Sequence, residues 1–371
     1  MKSNSAASIP VLSWIAPVIA IGFYFVASAM GFGSQFVPGG AMTVLAVLLV
    51  PVLFGTVFAA VHHADVIAHR TGEPYGTLVL TSAVTIIEVA LIASVMLADP
   101  DGSPTLARDT VFAVVMTVCN GIVGLCILVG GTRHREQSFR VQGASAYLVV
   151  LMVLSALTLV LPNYTQETPG AVYSNLQLAF AGGITLLLYV VFLYHQTFRH
   201  QEDFIALSKA KPDIVHDLAP PRVITISVVL LVLALLAVVL LSKKFAAVVE
   251  FGRIAIGAPP AITGLLVALV ILLPEAIAAV QAARQDKLQK SINLALGSSL
   301  ATIGLTFPAV AVVALYLGKP LLLGLNTVDT ALLALTLLIS TLTFGTGRTN
   351  ILFGFVHLVV FVTYLFFTYW P

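Results

Sequence analysis

Eleven stretches of mainly apolar residues, each about the length of a bilayer-spanning helix, run through this chain. They fall at 11–30, 41–61, 77–97, 110–131, 144–161, 173–194, 223–241, 259–283, 292–317, 327–343 and 350–370. A hydrocarbon core needs about 20 such residues per helix, so the pattern dictates an all-α membrane protein of about eleven transmembrane helices. Composition agrees. Only 9% of the 371 residues are charged and 59% are hydrophobic, where soluble domains carry about a quarter charged. With a mean hydropathy of +1.04, a soluble enzyme, a nucleic-acid binder, a disordered scaffold and a disulfide-framed secreted domain are excluded. The lipid bilayer is the first partner this chain requires.

The breaks between the stretches carry turn chemistry or charge: Gly31–Gly40, Pro100–Pro104, Gly130–Arg140, Pro162–Gly170 and Gly345–Asn350. Lysines and arginines fix an orientation. With the N-terminus in the cytoplasm, the inner segments hold Lys2, Arg70, Arg133, Arg135, Arg140, Arg199, Lys209, Lys211, Arg222, Arg284, Lys287, Lys290 and Arg348. The outer ones hold Arg108, Lys243, Lys244, Arg253 and Lys319. Thirteen against five places the N-terminus inside and, after eleven spans, the C-terminus outside. The first span follows a single lysine and no trustworthy cleavage site, and is read as uncleaved. Cys119 and Cys126 lie seven residues apart in one stretch, where a disulfide cannot close, and are read as packing residues.

One connection is long, residues 195–222. Its four acidic side chains meet four basic ones, so it is read as a cytoplasmic linker. Setting aside an N-terminal helix in 1–40, five spans precede it (41–194) and five follow (223–371). A duplicated unit with an odd number of helices comes out inverted relative to its copy, the plan of many secondary transporters, with the site where the halves meet.

That plan predicts matching polar features, and the carboxylates supply them. Of sixteen, nearly all lie in connections; Glu88 and Glu275 stand near the middle of the third and eighth stretches. Each of these is the second helix of its half. An acidic side chain at the bilayer centre costs at least ~2.5 kcal/mol. One such glutamate could be a protonated packing group, but two at matching positions point to function. The helices that follow are polar in their middles. Asn120 centres one, and Ser298, Thr302 and Thr306 form an i, i+4, i+8 stripe on the other. Thr85 lies one turn before Glu88. Asn120, Ser298, Thr302 and Thr85 are candidate oxygen ligands, while Thr306 is read as packing. Pro274 lacks an N–H, so it bends its helix and frees the carbonyl of Val270 as a further ligand beside Glu275.

These residues resemble the calcium/cation antiporter superfamily. LLPEAIAAV with LGSSLATIGL is similar to the second of its paired α-repeats, and HHADVIAHRTGEPYGTLVLTSAVTIIEVALI to the first repeat of the calcium/proton exchanger branch in its bacterial ChaA-type form. The resemblance covers the eleven-span plan, its specific motifs only about 62–131 and 259–310. It implies secondary active antiport of Ca²⁺ against H⁺ in a bacterial inner membrane, with Glu88 and Glu275 holding cation and protons in turn. Two features depart from the family pattern. Leu272 replaces the usual small polar residue before the second glutamate, and Val115, Met116 and Thr117 replace a Gly-Ser pair before Asn120. Calcium prefers six to eight oxygens, so the thinner ligand set brings Na⁺ and K⁺ in as substrates beside Ca²⁺.

The expected mechanism is competition at one site. Burial favours neutral carboxyls, and an entering cation favours the carboxylates and expels their protons. No nucleotide motif is present, so ion gradients are the energy source and no cofactor is expected. The other partners are inorganic cations and protons, with no nucleic acid. Without GxSxG, HExxH or a mid-membrane Asp pair, the chain is read as not an enzyme. A sodium-driven calcium exchanger is the alternative, and a cation channel a more remote one. At the approach to the third span, His62, Asp65 and His69 could share a helical face near His63 and Glu73, as a pH sensor. An ordinary solvated loop is the preferred reading there. Asp329 is read as a helix cap, and His357 as a lone packing histidine.

Overall fold

The computed structural model describes residues 11–33, 36–72, 75–98, 104–205 and 220–371. Among them are eleven helical rods. The first three are α1 (Val11–Ala29), α2 (Gly40–Thr71) and α3 (Tyr75–Ala98). Next, α4 (Leu106–Met116) runs through a π turn, Thr117–Ile122, into α5 (Val123–His134). Then come α6 (Val141–Ser155), α7 (Asn175–Tyr194), α8 (Pro221–Ala255) and α9 (Ala261–Arg284). A second interrupted rod joins α10 (Leu288–Ala301) through the π turn Thr302–Thr306 to α11 (Phe307–Leu317). Last are α12 (Thr327–Phe344) and α13 (Ile351–Tyr369).

Ten of the rods are long and apolar enough to cross a bilayer, and α3 adds the shorter apolar stretch Val79–Ser94. The chain is an all-α, integral multi-pass membrane protein. Among the described residues it also has a short antiparallel pair, β1 (Glu136–Ser138) with β2 (Arg348–Asn350), in which Gln137 stands opposite Thr349, and a single bridge between Val172 and Leu322.

Two compact units emerge, each built from two separate segments of the sequence. The first comprises Met1–Gly102 with Lys209–Ile256 and contains α1, α2, α3 and α8. Here α2 packs on α1, α3 and α8, and α3 also packs on α8. At 1.5 Å per residue, α2 and α8, of 32 and 35 residues, reach about 48 and 52 Å, well beyond a 30 Å hydrocarbon core. That length corrects two expectations. His62, His63, Asp65 and His69 lie within helix α2, not in a loop. Lys243, Lys244 and Arg253 lie within α8, not in an outer connection. No glycine or proline stands between Leu240 and Phe251 to stop that helix. Lys244 is buried, donates to the Phe32 carbonyl and faces the Tyr24 and Phe32 rings at 5.1 and 5.3 Å. A hydrogen bond of 2.6 Å joins Ser94 of α3 to Ser242 of α8.

The second unit comprises Ser103–Ser208 with Gly257–Pro371. Its core runs from Val111 through Tyr147, Leu272 and Leu296 to Tyr364. Two glycines let α5 and α13 touch. A Cβ on Gly124 would lie 3.0 Å from the His357 Cβ, and one on Gly354 would lie 2.8 Å from the Leu128 nitrogen. Small residues are how helices gain close approach where lipid supplies no hydrophobic drive. Both cysteines are buried and free.

Candidate functional site

The two helices carrying the central glutamates are of equal length, 24 residues each. Glu88 lies 13 residues past the start of α3 and Glu275 lies 14 past the start of α9. Both are near the midpoint of a rod about 36 Å long. In the first unit Glu88 is 1% exposed, with Thr85 half-buried one turn before it. In the second unit Glu275 is half-buried, preceded by the buried Pro274. Helix α9 runs unbroken through Pro274, whose missing N–H still deprives the Val270 carbonyl of its helical donor. Leu272, where the family pattern has a polar group, is 1% exposed and belongs to the core.

Around α9 the second unit gathers both interrupted rods. The π turn Thr117–Ile122, the flanking α4 and α5, and α10 all pack on α9, and α10 also packs on that π turn. A π turn inserts one residue into the helical ladder and occurs mostly at functional sites. Of the four π turns among the described residues, these two carry candidate ligands, Asn120 in one and Thr302 in the other, while Ala156–Val160 and His195–Arg199 extend the ends of α6 and α7. The insertion also breaks the expected polar stripe. Thr302 and Thr306 are buried, but Ser298 is only half-buried and its neighbour Ser299 is fully buried.

Asn120 lies in a closed buried network. Its Nδ2 donates to Thr336 Oγ1 at 2.9 Å, and Thr336 donates to the Leu332 carbonyl at 2.7 Å. Its Oδ1 meets His357 Nδ1 at 3.2 Å, and His357 Nε2 meets Thr343 Oγ1 at 3.1 Å. Asn120, Thr336, Thr343 and His357 all have zero exposure. His357 is therefore not a lone packing group. Nothing in the sequence pairs it with Asn120, which stands 237 positions earlier. Thr336, Ser340 and Thr343, at i, i+4 and i+7 on α12, were the available signal.

The remaining candidates are dispersed. In α2, His69 Nε2 lies 3.5 Å from Asp65 Oδ1 with both side chains exposed, and His62 is half-buried on the same face. Buried His63 meets the Ser13 carbonyl at 3.0 Å. Glu73 and residues 206–219 of the linker lie outside the described residues. Asn326, not Asp329, caps α12, accepting from the Asp329 nitrogen at 2.8 Å while Asp329 sits in the first turn. At the start of α4, Arg108 pairs with Asp109 at 2.8 Å and reaches the Gly324 carbonyl at 3.1 Å. Among the described residues no three or more His, Cys, Asp or Glu cluster as they would for a tightly held metal. A cavity of about 230 Å³ beside α9 is lined by Gly121, Leu125, Leu269, Leu272, Ala276 and Phe361 among others, and is apolar.

A carboxyl is thus buried at mid-helix in the first unit, and π turns carry polar side chains in the second. The chain belongs to the sodium/calcium exchanger protein family, whose pattern matches residues 41–198 and 226–370. It is 45% identical over 369 residues to the putative ionic transporter y4hA of Sinorhizobium fredii, covering 98% of each chain. It is 36% identical over 358 residues to the sodium-potassium/proton antiporter ChaA of Escherichia coli, covering 95% of this chain and 94% of that one. In fold it is similar to the solved structure of native YfkE, with a TM-score of 0.73 at 16% identity over 97% of this chain and 100% of the other.

Proposed function

We propose that this protein is a secondary active antiporter that exchanges Ca²⁺, Na⁺ or K⁺ for H⁺, with Glu88 and Glu275 as the groups that hold cation and proton in turn. One observation carries the reading: a carboxyl with 1% exposure, Glu88, in the middle of a membrane helix. Such a group is costly to keep charged, and a cation beside it offsets that cost. A proton does the same by neutralising it. Either occupant stabilises the site, so each displaces the other. Glu275, at the matching place in α9, doubles the capacity.

Oxygen ligands from Thr85, Asn120, Ser298, Thr302 and the Val270 carbonyl complete the cation's shell in this reading. Similarity to ChaA supports Na⁺ and K⁺ as substrates beside Ca²⁺, and supports proton coupling over sodium coupling. Antiport needs no cofactor and no chemical catalysis. The excess of inner basic residues among the connections orients the N-terminus to the cytoplasm of a bacterial inner membrane.

In everted vesicles, Glu88→Gln and Glu275→Gln are each expected to abolish the collapse of a pH gradient on adding Na⁺, K⁺ or Ca²⁺ singly. Normal exchange by both variants sinks the assignment. Exchange that requires a sodium gradient and ignores a pH gradient replaces proton coupling with sodium coupling.

A further inference from the structure

With the Asn120 amide oxygen facing His357, each proton of the surrounding network has a partner. A carbonyl oxygen only accepts, so His357 Nδ1 carries the hydrogen facing Asn120 Oδ1. Neutral imidazole then leaves Nε2 as an acceptor, filled by the Thr343 hydroxyl. On the other side the Asn120 amide donates to Thr336, whose own hydrogen goes to Leu332. Turning the amide over requires the imidazole to move its proton to Nε2 and Thr336 to give up its bond to Leu332, so the amide and the imidazole can only turn together, at the cost of one buried hydrogen bond.

The approach of α13 makes this arrangement reachable. Gly124, one turn after Asn120, has no side chain where the His357 Cβ arrives. The π turn that carries Asn120 packs in turn on α9, the helix of Glu275.

We propose that His357 is a positioning residue for cation binding: through its Nδ1–H it fixes the Asn120 amide with the oxygen held and oriented, and so ties α13 to the ligand set. This rests on the antiport reading and on Asn120 as a ligand. An amide oxygen has two lone pairs. His357 takes one and leaves the other for the cation, whereas an amide free to turn presents its NH₂ to the cation half the time or more.

The test uses the full-length protein in proteoliposomes, following proton release against the concentration of the cation best exchanged by the parent. His357→Leu is expected to raise the apparent KM about tenfold, the equivalent of one or two buried hydrogen bonds, with a smaller change in maximal rate. His357→Gln, whose side-chain amide can donate to Asn120, is expected to return KM to within about threefold of the parent. Asn120→Ala raises KM by itself, and adding His357→Leu to it produces no further rise, since residues acting through one contact are non-additive. A parental KM for His357→Leu overturns the proposal, as does a double variant in which the two increases multiply. If His357→Leu does not fold, Thr343→Val serves. It keeps the imidazole but releases its tautomer, with an expected rise of about threefold, and an unchanged KM is decisive against the proposal. Glu275→Gln is measured alongside. Normal exchange by that variant means the antiport reading has failed. A dead Glu275→Gln beside a parental His357→Leu means that only the role of His357 has failed.

Discussion

The π turns that carry candidate ligands, Thr117–Ile122 between α4 and α5 and Thr302–Thr306 between α10 and α11, are secured by different means. The first is held by directed hydrogen bonds, with Asn120 fixed between Thr336 on α12 and His357 on α13. The second is held by contact. A Cβ on Gly304 would fall 2.5 Å from the Tyr189 Cβ, so the base of the Tyr189 side chain rests directly on the Gly304 backbone. A bend of one kind can thus be fixed by polar satisfaction or by steric fit. The two solutions fail differently, because a hydrogen bond is lost one at a time whereas a steric fit is lost all at once.

The largest effect is expected at the packed turn. Gly304→Ala drives a methyl against the base of the Tyr189 side chain, whose Cβ cannot rotate away, at a cost of about 2–3 kcal/mol, read as unfolding free energy in mixed micelles. An effect below 1 kcal/mol would mean that α7 yields easily, and the contrast between the turns would collapse. Next comes the bonded turn. Thr336→Val removes the acceptor of the Asn120 amide and leaves a buried donor behind, with an expected loss of about 1–2 kcal/mol in the same assay. The smallest effect belongs to Gly121→Ala, also in the first turn. Its Cβ would lie 3.2 Å from the Phe361 ring, but that ring borders the 230 Å³ cavity and has room to shift. The helix-propensity gain of alanine, up to about 1 kcal/mol, then offsets the displacement, for a net change within about 0.5 kcal/mol. A cost equal to that of Gly304→Ala would show that both turns depend on steric fit.

Much of this architecture could be read from the residues. Spans are written in runs of apolar side chains, and the two mid-helix glutamates stand out because the other carboxyls lie in connections or in the end turns of helices. What escaped the reading shares one cause: it depends on what lies across from a residue, not along the chain. Helix α8 continues past Lys243 and Lys244 because Lys244 finds a carbonyl and two aromatic faces in the first unit, partners that hydropathy cannot register. Charge density alone argues for a solvated loop at His62 and His69, although α2 simply outgrows the bilayer. The π turns left no periodic trace, since one inserted residue per helix is invisible to an i, i+4 count. His357 looked isolated because its partners, Asn120 and Thr343, lie on other helices.

The pairing of β1 with β2 has a consequence for how the molecule is made. Strand β1 lies near the end of the first third of the chain, and β2 follows some 210 residues later. At ribosomal rates of about 5–20 residues per second, that interval lasts roughly 10–40 s. For nearly all of it the Asn120 amide lacks Thr336, and it lacks His357 until α13 follows. The second unit is closed only by its last helix, so a chain stalled before α13 leaves an open seam on α5 and a buried polar group exposed to lipid. Quality control in the cell can read such a state as unfinished.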